Sequence, residues 1–347
     1  MGSKLGSQEK PLWHATDLAG GPVVVKELSD DVEGWQEVDT NLRLSKLAHE
    51  NILGCRDVGM KDGKPMLVME SAPHGVLSEL METAHVLRQA DPKTLKADLC
   101  WIRANLDAIF LLILQDALQG LAAMHSLGLM HLDVRLENIF IGEGFVGKIG
   151  DFGTSKVEGR VTERCMMAAH NLAPEQNSGN VWLASRLQAR ENLRSRLQGK
   201  VQEGKLSLES AKQKLKKFDG KTSGYELTTA ADMYAVGLLA HKLFHGEDLV
   251  SAADLGVREQ AIVVSWNKAK APLNSPVNHR LKSLIDDLVN ACKQRASSRR
   301  PTAPELLKHP AFGQLRDEAR VTELRQMMKV LSEQKSTIAV PVASEQS

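Results

Sequence analysis

Cysteine is scarce in this chain, and what there is lies scattered. The 347 residues hold four, Cys55, Cys100, Cys165 and Cys292. They form neither a zinc-ligand spacing nor a compact disulfide framework, and such usage fits a reducing compartment. Excess charge of one sign is absent as well: 44 Lys and Arg stand against 43 Asp and Glu, a formal net charge of +1. No basic field therefore points to nucleic acid as a partner. Long apolar runs are missing. The longest near the middle, Ala108 to Leu114, is far too short to cross a bilayer, and no apolar signal segment opens the chain. The start, Met1-Gly2-Ser3-Lys4-Leu5-Gly6-Ser7, misses a myristoylation site because Gly6 holds the position that needs a hydroxyl. A tag scar or a disordered leader is expected there. What remains is an ordinary globular composition, 42% hydrophobic and 25% charged, with length enough for two lobes and additions. The expectation is no membrane span and a cytoplasmic location, either native or as a secreted effector acting in a host cytoplasm.

Against these absences stands one polar constellation. His131-Leu132-Asp133-Val134-Arg135-Leu136-Glu137-Asn138 is followed by the apolar Ile139-Phe140-Ile141 and, after a short hairpin, by Asp151-Phe152-Gly153. The spacing gathers Asp133, Asn138 and Asp151 in one neighbourhood. One carboxylate to position an attacking hydroxyl, with a carboxamide and a second carboxylate to hold metal ions, is what phosphoryl transfer from a magnesium nucleotide needs. Ala173-Pro174-Glu175 comes next in order. Each piece alone is a weak signal, but in this order they are specific, and the chain resembles the protein kinase family.

That resemblance implies an α+β, two-lobed fold: residues 1–70 as a β-rich N-lobe, 71–75 as hinge, and 76–313 as a larger helical C-lobe. It implies ATP and Mg²⁺ as cofactors and protein hydroxyls as substrate, with serine/threonine favoured by the C-terminal motifs. Asp133 would orient the acceptor and Arg135 steady the γ-phosphate. Asn138 and Asp151 would hold the metal. Lys26, at the end of the β-branched run Val23-Val24-Val25, would hold the α and β phosphates. Met69 would guard the back of the adenine pocket, backbone groups of Glu70 and Ala72 would bond adenine, and Phe140 would line the site. His131 would pack beneath Phe152, Asp232 would cap the catalytic loop from below, and Arg300 would pair with Glu175.

Several positions depart from the family pattern. Gly6 is the one glycine left where a glycine-rich phosphate loop belongs, with Glu9 nearby to repel phosphate. Counting back from His49 places Thr40 where a glutamate normally partners the lysine. Glu37, one turn earlier on the same helical face, is the substitute candidate, with Asp39 adjacent. Leu132 replaces the arginine that usually reads a phosphate on the activation segment. Arg135 replaces a lysine, and Ala168 a threonine of the acceptor platform. A binding module that keeps the fold as a scaffold, and a small-molecule phosphotransferase, are the two rivals.

Two further segments carry helical periodicity. Residues 182–201 (Leu183, Leu187, Leu193, Leu197, Val201) and 207–218 (Leu208, Ala211, Leu215) predict a helical hairpin turning near Glu203-Gly204-Lys205, an insert over 181–218. Residues 314–347 read as a C-terminal helix and a disordered tail, the helix bearing the stripe Val321, Leu324, Met327, Met328 and Leu331. The insert and the 321–331 stripe are both candidate docking faces for a partner.

Overall fold

The computed structural model describes residues 4–5, 11–161, 172–219, 225–245 and 279–333. The expectations for Gly6, Glu9, Ala168 and the tail beyond 333 fall outside these residues. The N-lobe is an antiparallel sheet of β1 (Lys4–Leu5), β2 (Leu12–Thr16), β3 (Pro22–Glu27), β4 (Cys55–Lys61) and β5 (Lys64–Glu70), in the order β1-β2-β3-β5-β4. The three valines of β3 favour the pleated, half-buried conformation. Their register sets Lys26 between Leu12 of β2 and Leu67 of β5.

Helix α1 (Val32–Ser45) packs on this sheet. The Asp31 carboxylate caps it, accepting from the Gly34 N–H at 2.8 Å. Gly34 has no room for a side chain, because a Cβ there would fall 2.0 Å from the Ser29 carbonyl oxygen. The helix buries Glu37, Val38, Asn41 and Leu44. Leu42 points outward and is 44% exposed. Val38 closes a small core with Leu28 and Leu67.

The C-lobe is built on helices α2 (Leu77–Gln89) and α3 (Ala97–Ser126). Helix α3 starts at Ala97. No Gly or Pro interrupts 97–109, and Leu99, Ile102, Leu106 and Ile109 keep the buried face continuous. By length and composition α3 is apolar enough to cross a membrane, but its apolar faces are taken up by the C-lobe core. Short strands β6 (Leu129–Met130), β7 (Ile139–Ile141), β8 (Gly147–Ile149), β9 (Lys156–Val157), β10 (Gly159–Val161) and β11 (Tyr225–Leu227) carry the loops of interest. The lobe continues through α4 (Pro174–Gln202), α5 (Leu208–Asp219), α6 (Ala230–His245), α7 (His279–Cys292), α8 (Ala303–Leu306) and α9 (Glu318–Glu333).

A backbone seam joins the lobes. The Ile149 N–H donates to the Asn51 carbonyl at 2.9 Å, and the Leu53 N–H donates back to the Ile149 carbonyl at 2.8 Å. Asn51 Nδ2 adds a bond to the Gly147 carbonyl at 3.0 Å. Helix α3 passes so close beneath that a Cβ on Gly120 would lie 2.3 Å from the Asn51 oxygen. The seam thus fixes the strand that leads directly into Asp151.

Two elements differ from expectation. Helix α4 begins at Pro174 and runs without a break into the insert. Pro174 at the first helical position and the Gln176 side chain, which accepts from the Ala173 N–H at 2.8 Å, start the helix there. The turn into α5 falls at Gly204, whose φ of 69° suits glycine. The 321–331 stripe is not a free docking face. Leu324, Met327, Met328 and Leu331 are buried in the same core as α3, so the helix is part of the lobe rather than an appendage. Arg325 secures it. Its guanidinium donates to both carboxylate oxygens of buried Asp116 at 3.1 Å and to the Phe145 carbonyl at 2.6 Å, while Asp116 also accepts from the Gly147 N–H at 2.7 Å.

Removing one partner of a buried ion pair leaves the other desolvated and uncompensated. Arg325→Ala is therefore expected to cost roughly 3 kcal/mol in denaturant unfolding. A loss below about 0.5 kcal/mol, the range of ordinary surface changes, would show that α9 is held by its apolar stripe alone.

Candidate active site

The lysine at the end of β3 is the electrostatic centre of the cleft. Lys26 is 7% exposed. Its Nζ lies 2.5 Å from Glu37 Oε1 and 2.7 Å from Asp151 Oδ1. Burial pushes the Lys26 pKa down, but Asp151 and Glu37 together outweigh it and hold the ammonium above the ordinary lysine value. Glu37 is 2% exposed and faces the lysine. Thr40 is buried in the same helix, whereas the Asp39 carboxylate is 71% exposed and reaches only Arg43, at 4.0 Å.

Asp151 adopts the left-handed conformation, φ 59°. That conformation is uncommon for a residue with a side chain, though Asp tolerates it better than most. Phe152 behind it is buried and meets the His131 ring edge-on, with centroids 5.5 Å apart. His131 Nε2 pairs with the Gly150 carbonyl at 3.0 Å. The histidine thus acts on the backbone that presents Asp151.

Asp232, fully buried at the start of α6, holds the catalytic loop from below. It accepts from the His131 N–H at 2.8 Å and from the Leu132 N–H at 2.7 Å, and pairs with His125 Nε2 at 2.8 Å. Burial pushes the Asp232 carboxyl up, but the hydrogen bonds it makes with the His125 ring and the His131 N–H outweigh this and keep it below the usual carboxylate range. These bonds offset the strain of Leu132, whose φ is 64°. The Leu132 side chain is buried in an apolar cluster with Met130, Val161, Leu172, Ala173 and Leu227. Where an arginine would read a phosphate, this chain ties the ends of its activation segment to the loop by hydrophobic packing.

Asp133 and Asn138 form one unit. Asn138 Nδ2 donates to the Asp133 carbonyl at 2.8 Å and to Asp133 Oδ2 at 2.7 Å. Arg135 is turned to Glu137, with Nε 2.7 Å from Oε2 and both side chains 46% exposed. That partner stands two residues away in the sequence and was missed in reading it. An ion pair so exposed contributes at most about 1 kcal/mol, so Arg135 is readily recruited elsewhere. Glu175 and Arg300 form a two-pronged pair at 2.6 and 2.8 Å, and Arg300 also reaches the Gln294 and Ala230 carbonyls.

At the hinge, Met69 pairs with Val24 of β3 and with Cys55 of β4. The Glu70 N–H is already engaged by the Gly54 carbonyl at 2.9 Å, and the Glu70 carboxylate accepts from the Gly54 N–H and from Lys148. The sequence reading missed this role for Lys148. The Ala72 carbonyl accepts from the Gly75 N–H. Phe140, on β7, packs against Gly150, where a Cβ would come within 2.9 Å of the ring. The donor set of Asp133, Asn138 and Asp151 is all oxygen. No cluster of three His, Cys, Asp or Glu side chains forms a self-sufficient metal cage among the described residues. A few protein oxygens completed by phosphate oxygens are characteristic of magnesium, so the residues fit a magnesium nucleotide.

Residues 17–181 match the protein kinase domain family model. That segment belongs to the protein kinase family. Its relatives include a receptor-like protein kinase of Arabidopsis thaliana, 34% identical over 140 residues, which is 39% of this chain and 14% of the relative. Serine/threonine-protein kinase TAO2 of Homo sapiens is 30% identical over 152 residues, 42% of this chain and 11% of the relative. Mitogen-activated protein kinase kinase kinase ANP1 of Arabidopsis thaliana is 23% identical over 298 residues, 86% of this chain. The chain spans 35% of the length of ANP1 and far less of the other two.

A double-mutant cycle tests the Lys26–Glu37 pair in this kinase domain without any ligand. Lys26→Met and Glu37→Gln are each expected to destabilise, and the double variant to fall short of their sum by about 1 kcal/mol or more. Asp39→Asn is expected to stay within about 0.5 kcal/mol of wild type. Additive effects would show that the two side chains do not interact.

Proposed function

We propose that this kinase domain transfers the γ-phosphoryl group of MgATP to protein hydroxyls, those of serine and threonine. The observation that carries the reading is the buried Lys26 ammonium held between Glu37 and Asp151. A scaffold gains nothing from burying the Lys26 ammonium and the Glu37 carboxylate and aiming them at the exposed Asp151 carboxylate, next to an aspartate–asparagine pair. TAO2, a serine/threonine kinase, supports the acceptor class.

The bound nucleotide supplies the phosphoryl group, and the protein supplies position and charge. Lys26 holds the α and β phosphates. Asn138 and Asp151 are the oxygen donors that would hold Mg²⁺. The Ala72 N–H and the Glu70 carbonyl serve adenine, and Phe140 lines its floor. Asp133, fixed by the Asn138 amide, orients the acceptor hydroxyl and takes up its proton. Arg135 gives up its exposed contact with Glu137 to steady the transferring phosphoryl group. Leu132 offers no cation to a phosphate at Thr154 or Ser155, and the Thr154 hydroxyl is spent on the His131 carbonyl at 3.0 Å. Activity therefore needs no phosphate on that stretch. A reducing, cytoplasmic setting suits the free thiols of Cys55, Cys100 and Cys292.

The test is transfer of labelled phosphate from ATP to generic protein acceptors. Wild type is expected to transfer in a Mg²⁺-dependent manner and to keep its rate after phosphatase treatment. Asp133→Ala and Asp151→Asn are each expected to lose at least about a hundredfold. Equal, negligible transfer by wild type and Asp133→Ala would leave the binding-module reading in possession.

A further inference from the structure

The family match ends at residue 181, and the charge of the chain changes there. Residues 181–219 hold ten Lys and Arg against four Asp and Glu, while the rest of the chain holds five more acids than bases. Two of the four acids are already taken, Glu191 by Arg194 at 3.8 Å and Glu203 by Lys205 at 2.9 Å. Lys212, Lys214, Lys216 and Lys217 are all exposed along α5, and Arg196 and Lys200 are exposed on α4.

The apolar side chains of the hairpin are largely consumed within it. Leu183, Leu197 and Ala211 are buried but belong to none of the apolar clusters of the two lobes. The Arg186 guanidinium sits over Phe218 at 4.5 Å and over Trp182 at 5.8 Å, so it stitches the two helices together. Both aromatics are half-buried and engaged by this one guanidinium, which leaves little of the open aromatic surface on which bases would stack. The exposed Val181, Leu187 and Leu208 are spread over two helices, which is less than the continuous apolar face a bilayer surface needs.

The hairpin is rooted beside the loop that carries Asp133, because Leu172 and Ala173, just before its first helix, are buried in one apolar cluster with Leu132. Helix α4 starts at Pro174. The root is held by the Glu175–Arg300 pair and by Gly179, which lies so close to the Tyr225 ring that a Cβ would come within 2.3 Å of it. At the usual helical rise, Lys200 stands about 38 Å along the axis from Glu175. We propose that the α4–α5 hairpin is a docking arm for an acidic segment of the protein substrate, lying apart from the hydroxyl that is phosphorylated. Because the rest of the chain is acidic, the attraction is confined to this arm. It raises the local concentration of the acceptor rather than the rate of the chemical step. The proposal rests on the protein-kinase reading above.

Two measurements on the full chain test it. The first is binding of a labelled glutamate-rich peptide of about twenty residues, followed by fluorescence anisotropy at low salt. Wild type is expected to bind it, with affinity falling as salt rises. Lys212→Gln, Lys214→Gln, Lys216→Gln and Lys217→Gln combined are expected to weaken binding about tenfold. Replacing 181–218 by a short Gly/Ser linker is expected to abolish it, while the thermal midpoint stays near that of wild type. The second measurement compares one acceptor with and without a glutamate-rich tail. The tail is expected to lower KM for wild type and not for the quadruple variant, with kcat unchanged in both. Equal peptide binding by wild type and the quadruple variant overturns the proposal, as does tighter binding to single-stranded RNA or phosphatidylserine vesicles than to the peptide. Absent phosphotransfer in wild type counts against the kinase reading, and the anisotropy result then still decides whether the arm binds acidic chains.

Discussion

A lysine ammonium with little access to water has to find negative charge, and the arrangement of this molecule follows from where Lys26 finds it. One carboxylate comes from α1 in the N-lobe, the other from the turn after β8 in the C-lobe. Neither alone offsets the cost of burial as well as the two together, and both signs are felt in the lysine's raised pKa. The ion cluster therefore does two things. It sets the rotation of α1 about its own axis, and it draws the lobes together over the cleft. Moving the partner from position 40 to Glu37 shifts the charge by nearly one helical turn while keeping it on the same face.

Beneath the cleft the same economy recurs. Asp232 is a single buried carboxylate, yet it takes two backbone N–H groups and one imidazole, and so fixes both the loop that carries Asp133 and the unusual backbone of Leu132. Above it, the seam of Asn51 and Leu53 with Ile149 fixes the approach to Asp151. Helix α9 supports that seam from behind, because Arg325 and Asp116 hold Phe145 and Gly147 in the β7–β8 turn. The ring of Phe145 stacks on His74 at 3.8 Å, which extends the support to the hinge. A helix far along the sequence is in this way joined to the loops around the cleft.

Much of this was legible in the sequence because it rests on local spacing. Asp133, Asn138 and Asp151 lie within nineteen residues of one another, and Glu37 follows from the position the family resemblance implies, Thr40, by one step back along the same helical face. The hairpin turn at Gly204 announced itself by glycine between two leucine-bearing segments. Other features depend on what an apolar face meets, and periodicity is silent on that. The α9 stripe reads the same whether it covers its own lobe or a partner. The start of α4 was set too late, since solvent-facing polar residues in a helix carry the same letters as a loop. Arg135 was assigned by its position in a motif, and its contact with Glu137 became visible only once the 3₁₀ turn over Leu136–Asn138 was in place.

The account turns on the ion cluster at Lys26 being a nucleotide site even though Gly6 is the one glycine left in the phosphate loop. Calorimetric titration of MgATP into wild type and Lys26→Ala tests this most directly, since it requires no acceptor and no turnover. Saturable, Mg²⁺-dependent binding that weakens at least about tenfold in Lys26→Ala is the predicted result, from the loss of a charge-assisted contact to phosphate. No detectable binding by wild type, or equal binding by the two proteins, would contradict it.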